Sequence, residues 1–161
     1  MVDIRSARPD ELARLPPLEA AADTLFDALG IGPLPGPCDV ADLEAALVVL
    51  VAGDPPQGFA RVGALAGGVH LEQLSVHPDH FRQGVGRALL RAAIAWAAGH
   101  GYDALTLATY RDIAWNGPFY ASEGFVELGP ADDWYAARGL PPEEPVMRRF
   151  GARVLMARRL P

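Results

Sequence analysis

Two groups of residues near the middle of this sequence have types and spacings that suit chemistry. Gly84 and Gly86 stand two apart in His80-Phe-Arg-Gln-Gly-Val-Gly-Arg-Ala-Leu-Leu90, where an apolar strand-like run gives way to a helix-like one. Without a Cβ they let backbone amides approach a ligand, and the helix that follows aims its unpaired N–H groups and positive dipole end at the same spot. Phosphate suits such a cradle; an ordinary strand-to-helix turn is the other reading. Upstream, His70 and Glu72 lie two apart in a strand-like run. They therefore share one face with Cα atoms roughly 7 Å apart. A histidine near its ordinary pKa or a half-buried carboxylate can each take a proton there, and solvated residues on an open sheet face are the alternative for both.

Several other chemistries lack their parts. All fourteen Lys-or-Arg positions are arginine, which excludes a Schiff-base lysine and a P-loop lysine. Cys38 is the single cysteine, so no intrachain disulfide or cysteine-based zinc site can form. His77, His80 and His100 have no nearby ligand cluster beyond Asp79, and no metal site is expected. Ser6, Ser75 and Ser122 lack a Gly-x-Ser-x-Gly setting, and the glycine pair lacks the third glycine and following acid of a dinucleotide fingerprint. Twenty acidic residues against the fourteen arginines give a net charge of -6, which argues against nucleic acid and anionic membrane as partners. The N-terminus carries charges where a signal peptide has its apolar core, and no run approaches the roughly 18 apolar residues of a membrane span. A soluble protein of the reducing cytoplasm is expected.

The elements that must position these residues follow from periodicity. With 161 residues and 50% hydrophobic content, one domain over residues 1–161 is expected. A short strand from Val2 to Ala7 leads into a helix started by Arg8-Pro-Asp-Glu11, broken or kinked at Pro16-Pro17 and resumed from Leu18 to Leu29. Gly30 to Pro37 holds three prolines and three glycines in eight residues and reads as a loop that could border a pocket, and Asp39 caps a short helix through Ala45. Three strands joined by hairpins follow, Ala46–Ala52, Gln57–Leu65 and Val69–Val76. Leu89, Leu90, Ala93, Ile94 and Ala97 then mark the buried stripe of a helix over Arg87–Ala98, and a strand over Asp103–Thr109 is expected to run parallel to the third strand across that crossover. Ile113–Ser122 reads as helical, Gly124–Leu128 and Ala152–Leu160 as strands. The long stretch Gly129–Phe150 carries a helical turn or two around Asp132–Arg138. The fold class is α/β, with a mixed sheet of antiparallel N-terminal strands, one parallel pair across the glycine turn and flanking helices.

The order of these elements, with four local motifs, resembles the GNAT superfamily of acyl-CoA-dependent N-acetyltransferases. Leu71-Glu-Gln-Leu-Ser-Val-His-Pro-Asp79 is similar to its central strand and His80 to Leu90 to its pyrophosphate loop and helix. Asp103 to Thr109 is similar to its splayed neighbouring strand, and Trp115-Asn-Gly-Pro-Phe-Tyr-Ala-Ser-Glu-Gly-Phe125 to its Asn-to-Phe-Tyr-to-Gly-Phe segment. The likeness covers about residues 2 to 128 and is sharp from 69 to 125. One position departs: Phe81 stands where the family loop usually begins with Arg or Gln.

The resemblance implies acetyl-CoA as cosubstrate, with its phosphopantetheine arm along the backbone of Leu74, Ser75 and Val76. Its pyrophosphate would be held by Arg82, Gln83, Gly84, Val85, Gly86 and Arg87. It implies Tyr120 as the acid that protonates the leaving thiolate, and Asn116 as a contact to the cofactor arm, unless Asn116 caps the helix that begins there. Glu72 is favoured as the base, His70 competes with it, and transfer without a dedicated base is the third option. The acceptor would be a primary amine of a small molecule or peptide; Asp132, Asp133, Glu143 and Glu144, beside Trp134 and Tyr135, would suit a cationic one. A noncatalytic acyl-CoA-binding sensor is the alternative function. Monomer and homodimer are both open, since Val154-Leu-Met156 could pair with a second subunit or lie in the core.

Overall fold

The computed structural model describes residues 2–140 and 142–161, with the side chains of residues 130–133 outside the described set. The elements run β1 (Ile4–Ser6), α1 (Leu15–Asp23), α2 (Val40–Ala45), β2 (Val48–Ala52), β3 (Gly58–Leu65), β4 (Gly68–Val76), α3 (Val85–Gly99), β5 (Ala104–Tyr110), α4 (Gly117–Ser122), β6 (Val126–Pro130), α5 (Ala131–Ala137), α6 (Pro145–Arg148) and β7 (Arg153–Arg159). The seven strands form one sheet in the order β1-β2-β3-β4-β5-β7-β6. Among the described residues only β4 and β5 pair in parallel. This is the expected mixed α/β sheet.

Local chemistry sets the N-terminal elements. A 3-10 helix over Pro9–Arg14 precedes α1, and the buried Glu11 carboxylate caps it by accepting the Arg8 backbone N–H at 2.8 Å while Arg5 donates to it at 2.6 Å. Pro16 and Pro17 fall in the first turn of α1, where the missing N–H groups have no helical partner to lose. The predicted break is therefore a change from 3-10 to α geometry. The predicted helix to Leu29 is α-helical only to Asp23, then tightens into a 3-10 helix over Thr24–Leu29 that ends at Gly30 in the left-handed region, φ 68°.

The sheet has two apolar faces. On one, Leu50, Ala60, Val62, Leu71, Leu105, Leu107, Val154 and Met156 pack against the α3 stripe of Leu89, Leu90, Ala93, Ile94 and Ala97. On the other, Val49, Val51 and Phe59 lie under Leu15 and Leu18 of α1, Leu43 of α2 and Cys38. Each large apolar side chain enclosed this way contributes roughly 1.5–3 kcal/mol. Val154, Leu155 and Met156 belong to this interior and pair with β5 and β6, so the core reading of the last strand is the observed one.

Two irregularities shape β4. Its partners on β3 step from Val62↔Leu71 to Arg61↔Gln73, which leaves Glu72 as the extra residue of a β-bulge. Before the bulge His70 shares the α1 face with Gly63; after it, Gln73 and Ser75 share that face with Arg61 and Phe59. The bulge thus gathers His70, Glu72, Gln73 and Ser75 on one face. On its other edge β4 meets β5 only at Val69↔Leu105 and His70↔Thr106, and beyond these the strands part. Among the described residues no helix is long and apolar enough to cross a membrane.

Candidate active site

The parting of β4 and β5 opens a cavity of about 920 Å3 walled by Leu71–Val76 of β4, Leu107–Tyr110 of β5, the start of α3, α4 and the N-terminal helical region. The β3–β4 ladder decides which backbone groups face it. His77 donates to the Gln57 carbonyl at 2.8 Å, and the Ser75 carbonyl points at β3, 2.7 Å from where a Cβ on Gly58 would stand. Residues alternate along an antiparallel ladder, so Leu74 and Val76 turn their N–H and C=O groups to the opening and Ser75 turns its own to β3. The Ser75 hydroxyl accepts a hydrogen bond from Gln73 at 2.8 Å.

At one end of the cavity lies the glycine turn. Arg82 (φ 60°) and Gly84 (φ 84°) are left-handed, and such alternation curls successive N–H groups inward. The first helical bond of α3 runs from Ala88 N–H to the Gly84 carbonyl at 3.0 Å, so the N–H groups of Val85, Gly86 and Arg87 precede the helical ladder. Gly86 backs onto Val76, whose Cγ2 would be 3.5 Å from an added Cβ. Arg82, Gly84, Gly86 and Arg87 line the cavity, whereas Gln83 and Val85 do not. The Gln83 side chain donates to the Asp79 carbonyl at 3.2 Å, and the Val85 side chain is buried in the core. Arg87 is held at this rim by Glu123, whose Oε1 accepts from it at 2.7 Å while Oε2 accepts from Arg91 at 2.9 Å. Phe81 packs edge-on against Trp115 with ring centroids 6.0 Å apart, so the departing position forms an aromatic wall.

Asn116 and Tyr120 reach the cavity from the start and the first turn of α4. Close approach fixes this turn: a Cβ on Gly117 would overlap the Arg111 carbonyl. Asn116 stands at the N-cap position but its side chain does not cap α4. Its Oδ1 accepts a hydrogen bond from the Thr109 hydroxyl at 2.6 Å, which corrects the capping alternative and leaves the amide nitrogen without a partner among the described residues. The Tyr120 ring packs edge-on against Phe119 at 5.1 Å and Phe125 at 5.9 Å. Burial pushes its phenol up from the ordinary value, with Arg153 pulling the other way, so the hydroxyl stays protonated at neutral pH.

The opposite end is acidic. Glu72 lies over Gly63, where a Cβ would overlap its carboxylate, and is 3.3 Å from Arg61. Burial raises its pKa, with Arg61 pulling the other way. His70, on the same face, does not line the cavity: it is buried, bonds Thr106 Oγ1 through Nδ1 at 2.8 Å and stacks on Trp134 at 5.9 Å. Of the acidic wall expected from the long segment, Glu143 and Glu144 do not line the cavity. Glu143 closes on Arg153 at 2.8 Å, Glu144 is exposed at the start of α6, and the side chains of Asp132 and Asp133 lie outside the described residues. Instead Glu19, Asp23 and Asp42 from the N-terminal helices line this end. Their sequence signal was only helical periodicity, because the chain separation hides their approach to β4.

Burial, then Arg153, holds the His70 imidazole down at about 4. The unfolded chain therefore binds this proton first, and stability present above pH 6.5 is lost as pH falls to about 4, a change of about 3 kcal/mol. Denaturant unfolding of the native chain and His70→Gln across that range should show the gap; parallel pH profiles would refute it.

Comparison with known proteins agrees with this geometry. A family model described as an acetyltransferase (GNAT) domain matches residues 43–127. The ribosomal-protein-S18-alanine N-acetyltransferase of Escherichia coli superposes with a TM-score of 0.68 at 22% identity, covering 99% of this chain and 94% of that one. The PaiA N-acetyltransferase of Thermoplasma acidophilum, in complex with coenzyme A, gives 0.71 at 16% identity, covering 99% of both chains. Ard1 of Thermoplasma volcanium gives 0.68 at 18%, covering 99% of this chain and 98% of that one.

Proposed function

The chain belongs to the GNAT acetyltransferase family, and from that membership we propose that it moves the acetyl group of acetyl-CoA to a primary amine of a small molecule or peptide, by direct attack in a ternary complex. Residues 1–161 act as one N-acetyltransferase domain. The observation that carries this reading is the cavity itself: one opening joins an unpaired strand edge, an anion cradle and an acidic end. The structure of the PaiA relative with coenzyme A supports a CoA-type donor.

In this reading Leu74 and Val76 offer their outward N–H and C=O groups to the amides of the pantetheine arm, as an added strand would. The N–H groups of Val85, Gly86 and Arg87 and the guanidiniums of Arg82 and Arg87 meet the pyrophosphate. The Asn116 amide nitrogen, aimed by Thr109, donates to the arm. Glu72, held up by burial, takes the proton that the ammonium must lose, directly or through water. The freed amine nitrogen bonds to the acetyl carbon, loses its second proton to solvent, and the carbon–sulfur bond breaks. Tyr120 gives its phenolic proton to the departing thiolate and regains one from solvent.

Incubation with acetyl-CoA and a panel of amines should release free CoA thiol in step with amide formation. Binding of acetyl-CoA without thiol release for any amine would select the noncatalytic sensor instead.

A further inference from the structure

The acidic end of the cavity holds more negative charge than one reacting amine requires. Glu19, Asp23, Asp42 and Glu72 line it. Of the two guanidiniums there, Arg153 is closed on Glu143 outside the wall and Arg61 stands beside Glu72, which leaves the other three carboxylates without a cation among the described residues. They act on one another: burial first and Glu19 second hold the Asp23 carboxyl up at about 6, and Asp42 helps to raise Glu72.

One of these carboxylates is itself buried, and one observation independent of the charge points to a ligand. Glu19 is 5% exposed yet lines the cavity, and its Oε2 accepts the Cys38 N–H at 2.6 Å. Tyr110, 2% exposed in the same wall, has a buried hydroxyl with no hydrogen bond among the described residues. A buried hydroxyl left unpaired beside a cavity is costly until a partner reaches it. Phe26 and Leu34 of this wall supply apolar surface for a chain of methylenes.

Resting on the function proposed above, we propose that the acceptor is a dication: one primary amine presented at Glu72 for acylation, and a second positive charge on an apolar spacer held by Glu19 and Asp23. Acylation forms the carbon–nitrogen bond, breaks the carbon–sulfur bond and discharges one ammonium as a proton. The product keeps a single charge, is held less tightly than the substrate, and leaves.

Calorimetric titration of the CoA-loaded protein with a series of α,ω-diaminoalkanes and the matching n-alkylamines tests this. At least one diamine should bind about tenfold or more tighter than its monoamine partner, and the gap should narrow with added salt. Asp23→Asn and Glu19→Gln should each remove most of the gap and leave CoA affinity as it was; Asp23 makes no hydrogen bond among the described residues that the first change would break. Equal affinity for diamines and monoamines with CoA still bound, or a gap that survives both substitutions, overturns the dication and leaves the acetyltransferase standing. Failure to bind CoA overturns both.

Discussion

Tyr120→Phe should lower kcat by about a hundredfold or more, the usual contribution of a positioned acid, while the KM for acetyl-CoA changes little. The substitution removes one oxygen and keeps the ring between Phe119 and Phe125, so folding should survive. Burial holds the Tyr120 phenol above its ordinary value. The hydroxyl is therefore protonated across the working range and holds a proton to give to the thiolate as it leaves the acetyl carbon. Steady-state rates with both substrates saturating, beside unfolding curves of the two proteins, separate chemistry from stability. A loss under about tenfold in a well-folded variant would remove Tyr120 from the role.

Gly86→Asp should weaken donor binding severely without harming the fold. An added Cβ at residue 86 meets only Val76 Cγ2 at 3.5 Å, an ordinary contact. A carboxylate in the first turn of α3 interacts favourably with the helix dipole, by roughly 0.3–1 kcal/mol. The same carboxylate occupies the cradle proposed for the pyrophosphate, and like charges set face to face cost several kcal/mol. Affinity for acetyl-CoA should fall by about a hundredfold or more while the unfolding midpoint in its absence stays level or rises. Unchanged affinity would move the phosphates elsewhere.

Much of this was legible in the sequence because the signals are local. Alternation along 46–76, the glycine pair and the helical stripe from Leu89 to Ala97 predict the strands, the crossover and the parallel pair that the structure contains. What escaped depends on contacts between distant segments. The bulge at Glu72 is set by the register between β3 and β4, and a period of two along β4 alone does not reveal it. It places Glu72 at the cavity, while the stack of Trp134 on His70 comes from a helix more than sixty residues away and leaves His70 outside the wall. The acidic end followed the same logic. Acids in the long segment after β6 suggested an acceptor pocket, yet Glu143 closes on Arg153 and, among the described residues, the carboxylates that join Glu72 at the cavity come from the helices before β2. Asn116 sits where helix-capping chemistry places it, but Thr109 takes its oxygen, a bond between two segments that sequence spacing alone does not specify.

The most direct test of acetyl-CoA binding in the opening between β4 and β5 is thermal unfolding of the native chain and Gly86→Asp with and without acetyl-CoA. At a hundredfold excess over its dissociation constant a native-state ligand stabilises by about 2.7 kcal/mol, which for a chain of this size raises the midpoint by roughly 5–10 °C. The native chain should show that rise and Gly86→Asp should lose most or all of it. No rise in the native chain at millimolar acetyl-CoA, or an equal rise in both proteins, would contradict the account.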